Sequence, residues 1–272
     1  MAIGYACLNI GTPNTNIRSV MQRNATAEKL TEVITHNLEA LEKMVDYNIA
    51  NGIRLYRISS DLIPFGSSPV NMLDWPETHK EVFDRIGTKI RRGSMRVSFH
   101  PGQYTVLNSP TEDVVARAIE DLIYHDKILT ALGTDATNKI VLHVGGIYGD
   151  KEAALDRFAE NFQRLPESVQ NRLIIENDDR LYNSEEVLEL TNRLQIPSVF
   201  DNLHHAINPT PSGGTDPYWI TEAKKTWKAA DGNQKIHYSQ QALGKRPGAH
   251  IDTIDLETFL TFHEQLENKQ ID

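Results

Sequence analysis

One cysteine, Cys7, stands in 272 residues, so no internal disulfide can form and a reducing compartment fits. No apolar run approaches the roughly 20 residues that a membrane-spanning helix needs. The amino terminus, MAIGYACLN, has no basic region ahead of a long apolar core, so no secretory leader is expected. Excess positive charge is missing too. The formal net charge is −9, which argues against a surface coated for nonspecific nucleic-acid binding and leaves room for a local basic groove. No composition break or low-complexity segment marks a second domain. The expectation is a cytoplasmic protein with one large domain over residues 1–272.

What the chain does have is a repeated design at the ends of its apolar runs. VSFHPGQY stops at His100 and turns at once through Pro101 and Gly102 to Gln103 and Tyr104. KIVLHVGG carries His143, RLIIENDD carries Glu176, SVFDNLHH carries Asp201 and His204, and KIHYS carries His237. Side chains at the ends of neighbouring strands converge when the strands are parallel and close into a ring, the geometry by which a barrel enzyme collects its chemistry.

The rest of the chain supplies the alternation such a ring needs. Strands are read at 3–10, 53–60, 95–100, 139–144, 172–177, 198–202 and 235–239. Apolar residues at three- and four-residue steps predict a helix over 26–49, stopped by Asn51-Gly52. Further helices are predicted at 77–92, from Ser109-Pro110-Thr111-Glu112 (Ser109 as the cap) to Leu132, and at 151–164 behind Asp150. Others follow at 184–194, 216–230 and 255–266. Strand–helix alternation of this kind predicts an α/β fold with a parallel sheet, a TIM-type (β/α)8 barrel. Seven strands are counted. Asn268–Asp272 reads as the approach to an eighth that is cut off because the chain stops at Asp272, so a barrel truncated at its C-terminal end is expected.

His100, His143, Glu176, Asp201, His204, His237 and His250 are the candidate metal ligands. Imidazoles and carboxylates without thiolates suit catalytic zinc, manganese or iron rather than a structural zinc site. Seven ligands exceed one ion's needs, and two or three ions are plausible, an arrangement suited to phosphoryl transfer. His36, His79, His125, His205 and His263 are expected on exposed helix or loop positions. Lys245-Arg246 either contacts phosphates or is merely solvated. Lys89, Arg91, Arg92 and Arg96 read as a solvated helix end.

The stretches GYACLN, YRISSDLIPFGSS, FHPGQY, VLHVGG, IIENDD, FDNLHH, KIHYS and GAHID together resemble the UV damage endonuclease family, over residues 4–252. The resemblance implies a barrel similar to endonuclease IV and the sugar isomerases. It also implies metal-dependent nicking of double-stranded DNA immediately 5′ of UV photoproducts, pyrimidine dimers and 6-4 photoproducts, leaving a 3′-hydroxyl and a 5′-phosphate. The ions implied are two or three divalent metals, typically Mn2+. By motif, His100 and His143 resemble ligands of one ion, with Glu176 bridging to a second held by Asp201 and His237; His204 and His250 resemble ligands of a third. Lys235 matches a lysine that the family can carboxylate, and with Glu176, His100 and His143 it completes the expected catalytic set. Gln103 and Tyr104 match the pair that probes DNA at the lesion. Tyr5 and Asn9 match positions near the site, and Arg246 is the candidate phosphate contact. A monomer acting on chromosomal DNA, with no membrane partner, is expected.

Two departures stand out. Ser68 replaces a histidine expected near the reacting phosphate, which means weakened catalysis, a subfamily difference or an engineered change. The family's last strand supplies a glutamate to the second ion, and no counterpart is found in this sequence, so low occupancy or low activity is expected. Two rival readings stay open: another barrel metalloenzyme (abasic-site endonuclease, sugar isomerase or epimerase), and a module that binds damage without cutting it.

Overall fold

The computed structural model describes residues 1–272. Its strands are β1 (Gly4–Ala6), β2 (Leu55–Arg57), β3 (Arg96–Ser98), β4 (Ile140–His143), β5 (Leu173–Glu176), β6 (Ser198–Asp201) and β7 (Ile236–His237). All pair in parallel and in sequence order, as β1-β2-β3 and β4-β5-β6-β7. A parallel bridge between Phe99 and Ile140 joins the two groups, with Val141 N donating to Phe99 O at 2.9 Å.

The α/β architecture with parallel strands in sequence order, expected from the alternation, is the one observed, with seven strands in two sheets. At the eighth position, Ile271 bridges Gln234 in parallel. Asp272 N donates to Gln234 O at 2.8 Å, and Ala2 N donates to Ile271 O at 3.2 Å. Ile271 and Asp272 therefore lie between β7 and the entry to β1 and pair on both sides.

The helices are α1 (Ala27–Ala50), α2 (Trp75–Thr78), α3 (Lys80–Arg92), α4 (Glu112–Ala131), α5 (Lys151–Phe162), α6 (Glu167–Arg172), α7 (Ser184–Leu194), α8 (Asn202–Ile207), α9 (Asp216–Lys224) and α10 (Leu256–Gln265). The helix expected at 77–92 is two, α2 and α3, broken at His79. That expected at 216–230 ends at Lys224, with a 3₁₀ turn at Ala229–Asp231 behind it. Short α6 and α8 were not legible, because six residues give too little periodicity to read. Ser109 does not cap α4; its hydroxyl accepts from Thr111 N at 3.1 Å, and Thr111 is the cap. Asp150 caps α5 as expected, accepting from Ala153 N.

The main core lies between the strands and the helical layer. Leu30, Ile34, Leu38, Leu41, Met44 and Val45 form the buried stripe of α1 and meet Tyr56 and Ile58. Phe83, Ile86 and Ile90 of α3 and Leu122, Ile128 and Leu129 of α4 continue it. Each such side chain contributes about 1.5–3 kcal/mol on burial.

The N-terminal ends of the strands are held by charge. Arg96, Lys139 and Arg172 stand at the entries to β3, β4 and β5, and all three are engaged by acceptors. Arg96 is thus not part of a solvated helix end: it pairs with Asp272 at 2.8 Å and lies over the Trp227 ring.

Candidate metal centre

At the opposite, C-terminal ends of the strands, the side chains singled out in the sequence do meet. His143, Glu176, Asp201 and His237 are the last residues of β4, β5, β6 and β7, and in-register pairing sets His143 beside Glu176 and Asp201 beside His237. His100 follows β3 by two residues, and His204 sits on α8 rather than on a strand. Glu176 is 1% exposed and lies at the centre. Its Oε2 is 2.7 Å from His100 Nε2 and 3.4 Å from His143 Nε2, and its Oε1 meets His237 Nδ1. Two sets of possible ligands share it, His100–Glu176–His237 and His143–Glu176–His204, each with ligand atoms within 4.8 Å of one another.

The protonation logic of this cluster fits divalent cations. His204 Nδ1 donates to Asn177 O at 2.8 Å, which leaves Nε2 as a lone pair. His100 Nδ1 lies 3.1 Å from Pro101 O while its Nε2 faces Glu176. A neutral imidazole has one N–H, so one of these contacts sets a lone pair against an oxygen unless a proton or a cation lies between. Burial disfavours the Glu176 carboxylate, yet His237 and His143 outweigh it and hold the carboxyl well below its ordinary range. Burial pushes His237 down to about 4 against the pull of Glu176, and lowers His143 likewise. A Glu176 carboxylate beside neutral His143 and His237 is the state that metal ligation requires. At His204, by contrast, burial is outweighed by Asp201 and Glu176, which raise its pKa.

Asp201 is buried. Desolvation and the nearby Glu176 raise its pKa, and Oδ1 caps α8 by accepting from His204 N at 2.9 Å. Neither Asp201 nor His250 falls within the two close sets. His250 is in a loop, as expected, at an antiparallel bridge with Gln241. Lys235 is 3% exposed, with Nζ 3.3 Å from Ser98 Oγ. Burial, with Arg96 and Arg57 nearby, pushes its pKa down to about 7.

A cavity of about 850 Å³ opens over the cluster, lined by His100, His143, Glu176, Asp201, His204, His237, His250, Lys235 and Tyr5. Ile3, Ile254, Leu256 and Phe259 add apolar surface to its lining. Tyr5 donates to Asn48 Oδ1 and accepts from Asn9 Nδ2. Asn9, Gln103, Tyr104, Arg246 and Ser68 do not line the cavity. Tyr104 is 71% exposed, and Gln103 and Arg246 are exposed as well. Ser68 is half-buried, and its hydroxyl accepts from Val70 N at 3.3 Å.

Several contributors escaped the sequence reading. His79, His125 and His205 are buried, not exposed. His125 Nε2 lies 2.9 Å from Ser60 Oγ, which donates to the carbonyl of His100. One turn earlier on α4, Asp121 accepts from Ser67 at 3.0 Å and from Thr105 at 2.7 Å. Helix α4 thereby anchors the loops after β2 and β3, including the Gln103–Tyr104 tip. Positions 118, 122, 125 and 129 share one helical face, so periodicity could have found His125. Asn177 ties β5 to β6, accepting from Asp201 N and donating to Asp201 O. Arg57 lines the cavity, and its buried Nε has no hydrogen-bond partner. Asp121→Ala is expected to lower stability by about 2–3 kcal/mol and to open the loops after β2 and β3. Denaturant unfolding and limited proteolysis check this, and unchanged cleavage of both loops would count against the anchoring role.

No helix is long and apolar enough to cross a membrane. A family model described as UV-endonuclease UvdE matches residues 2–271. The UV DNA damage endonuclease of Clostridium perfringens (strain 13 / Type A) is 41% identical over 272 residues, covering 98% of this chain and 65% of that protein. This chain thus spans just under two thirds of that relative's length. The crystal structure of SacUVDE superposes with a TM-score of 0.94 at 35% identity, covering 100% of this chain and 91% of that one. Endonuclease IV from Thermus thermophilus shares the fold, with a TM-score of 0.54, 14% identity and coverage of 78% and 76%. The sequence match along almost the whole length, together with histidines and a buried glutamate gathered at one mouth of parallel strands, places this chain in the UV-endonuclease UvdE family.

Proposed function

We propose that this chain is a metal-dependent repair endonuclease that nicks double-stranded DNA 5′ of UV photoproducts, leaving a 3′-hydroxyl and a 5′-phosphate. The observation that carries the reading is the buried Glu176 carboxylate ringed by His100, His143 and His237, with His204 beside it. His100, Glu176 and His237 would hold one cation; His143, Glu176 and His204 would hold another. Asp201 and His250 would complete their spheres, with a third ion accommodated among them. Manganese suits this donor set of imidazoles and carboxylates. Bound cations of this kind lower the pKa of a water, orient a phosphate and offset charge on a leaving oxygen.

The chain's own residues supply the rest. Glu176 would be shared by the two sets, while burial, against the pull of Glu176, keeps His143 and His237 neutral. Lys235, with an amine near neutrality at physiological pH, is poised for carboxylation and would then offer an oxygen to the centre. Gln103 and Tyr104 probe the duplex at the lesion, where a photodimer already stacks and pairs badly and is cheaper to extrude. Tyr5 and Asn9 border the reacting strand, and Arg246 meets a phosphate. An exposed Gln–Tyr tip favours DNA over a sugar, whose turnover calls for a closed pocket. The enzyme acts as a monomer inside the cell.

Incubation of irradiated and unirradiated supercoiled plasmid with the protein and Mn2+ tests this. The irradiated plasmid is expected to become nicked, the intact one to stay supercoiled, and a chelator to stop the reaction. Equal nicking of both plasmids, or binding of irradiated DNA with no nicking at any Mn2+ concentration, contradicts the proposal.

A further inference from the structure

The loop after β3 is not the only one to hold a tyrosine out at this mouth. Tyr104 lies four residues after His100, with its ring against Gly102: a Cβ there would stand 2.4 Å from Tyr104 Cε1. In the next loop, after β4, Tyr148 lies five residues after His143, against Gly146, where a Cβ would stand 3.0 Å from Tyr148 Cε2. Both are Gly-x-Tyr sequences, and in both the glycine leaves room for the ring. The loops also pack together, since Asn108 Nδ2 donates to Gly146 O at 2.7 Å.

We propose that Tyr148 is a second aromatic contact to DNA, stacking on a nucleotide next to those met by Gln103 and Tyr104. This rests on DNA being the substrate. Tyr148 has φ 48°, a left-handed backbone that a bulky L-residue adopts at a cost. Core packing does not explain that cost, because half-buried Ile147 is the residue that packs against the core here while Tyr148 stays 46% exposed. The conformation is nevertheless enforced. Gly146 O accepts from Tyr182 as well as from Asn108, and Arg157 holds its guanidinium 5.7 Å from the Tyr148 ring centre.

Arg157 donates through Nε to Asn108 O, whereas its Nη2 is buried with no partner. The result is a pre-ordered π face beside an under-used cation. Little ordering entropy remains to be lost when a base stacks there. Stacking tolerates any base but needs an exposed base face, which a duplex opened at a lesion offers at lower cost than an intact one. This contact therefore adds affinity once the duplex is opened, while Gln103 and Tyr104 read the lesion itself.

The test uses the full chain with Mn2+, nicking irradiated plasmid over a range of DNA concentrations. Tyr148→Ala is expected to raise KM about tenfold, with kcat and Mn2+ content unchanged. Tyr148→Phe is expected to behave as the native chain. Tyr148→Gly, which removes both ring and strain, is expected to raise KM equally without lowering Tm. A native KM in Tyr148→Ala and Tyr148→Gly overturns the inference alone, as does a Tyr148→Gly variant whose Tm falls together with kcat. If the native chain fails to nick irradiated plasmid in preference to intact plasmid, the reading of the whole site falls first and takes this one with it.

Discussion

Glu176→Gln is expected to reduce nicking of irradiated plasmid by about 10³-fold, the equivalent of the several kcal/mol of charge stabilisation that bound cations supply. The substitution conserves shape and burial, so the strand ends should keep their positions. It removes the single negative charge on which His100, His143 and His237 converge. An amide cannot bridge two cations as a carboxylate does, and its NH2 group would face imidazole nitrogens that need an acceptor. Asp201 does not take over the central place, because it falls in neither close set and already caps α8. Loss of activity should therefore come with loss of bound metal and with an unaltered circular dichroism spectrum. A Glu176→Gln chain that nicks at the native rate would contradict the assignment.

Arg172→Met is expected to act at the other end of the same strands, and on stability instead of chemistry. Arg172 is buried at the entry to β5, donates to Asp126 at 2.8 Å, and bonds the carbonyls of Thr134 and Asn138 at 2.7 and 3.0 Å. Ser168 donates to the second oxygen of Asp126. Methionine fills comparable volume but leaves a largely buried carboxylate and several carbonyls without their donor. The cost of breaking such a pair is about 3–5 kcal/mol, or a fall in Tm of about 10 °C for a chain of this size. Metal content should not change, because the strands separate this network from the cavity. Urea unfolding checks the first point and elemental analysis the second. A loss below about 1 kcal/mol would mean that water reaches Asp126 more freely than its burial implies.

The two ends of the barrel were unequally legible in the sequence. Ligands at strand exits could be read because β4, β5, β6 and β7 each end on a His, Glu or Asp after an apolar run. The cations at strand entries were not read as a set. Arg96, Lys139, Arg172 and Lys235 each precede or open a strand, yet nothing local separates a paired cation from an unpaired one. Three of them meet carboxylates that are distant in sequence: Asp272, Asp231 and Asp126. Lys235 points to Ser98 instead and lines the cavity.

Histidines were read by polarity, and there the reading failed. His125 lies on the core-facing stripe of α4, where its ring nitrogens lie 2.6 Å from Asp121 O and 2.9 Å from Ser60 Oγ, polar contacts of the kind that buried polar groups keep. His205 rides on α8, whose N-cap is the candidate ligand Asp201 itself. A six-residue helix capped by a site residue leaves no separate start signal. The strands came out shorter than their apolar runs suggest. At β1 the left-handed Cys7, φ 61°, ends the ladder two residues before Asn9.

Metal content tests the central claim most directly. After loading with Mn2+ and removal of free ion, the native chain should retain about two ions, one for each of the two sets that share Glu176. Glu176→Gln, treated identically, should retain fewer than one. A native chain that holds no ion while it still nicks irradiated DNA, or a Glu176→Gln chain that keeps the full complement, would contradict the account.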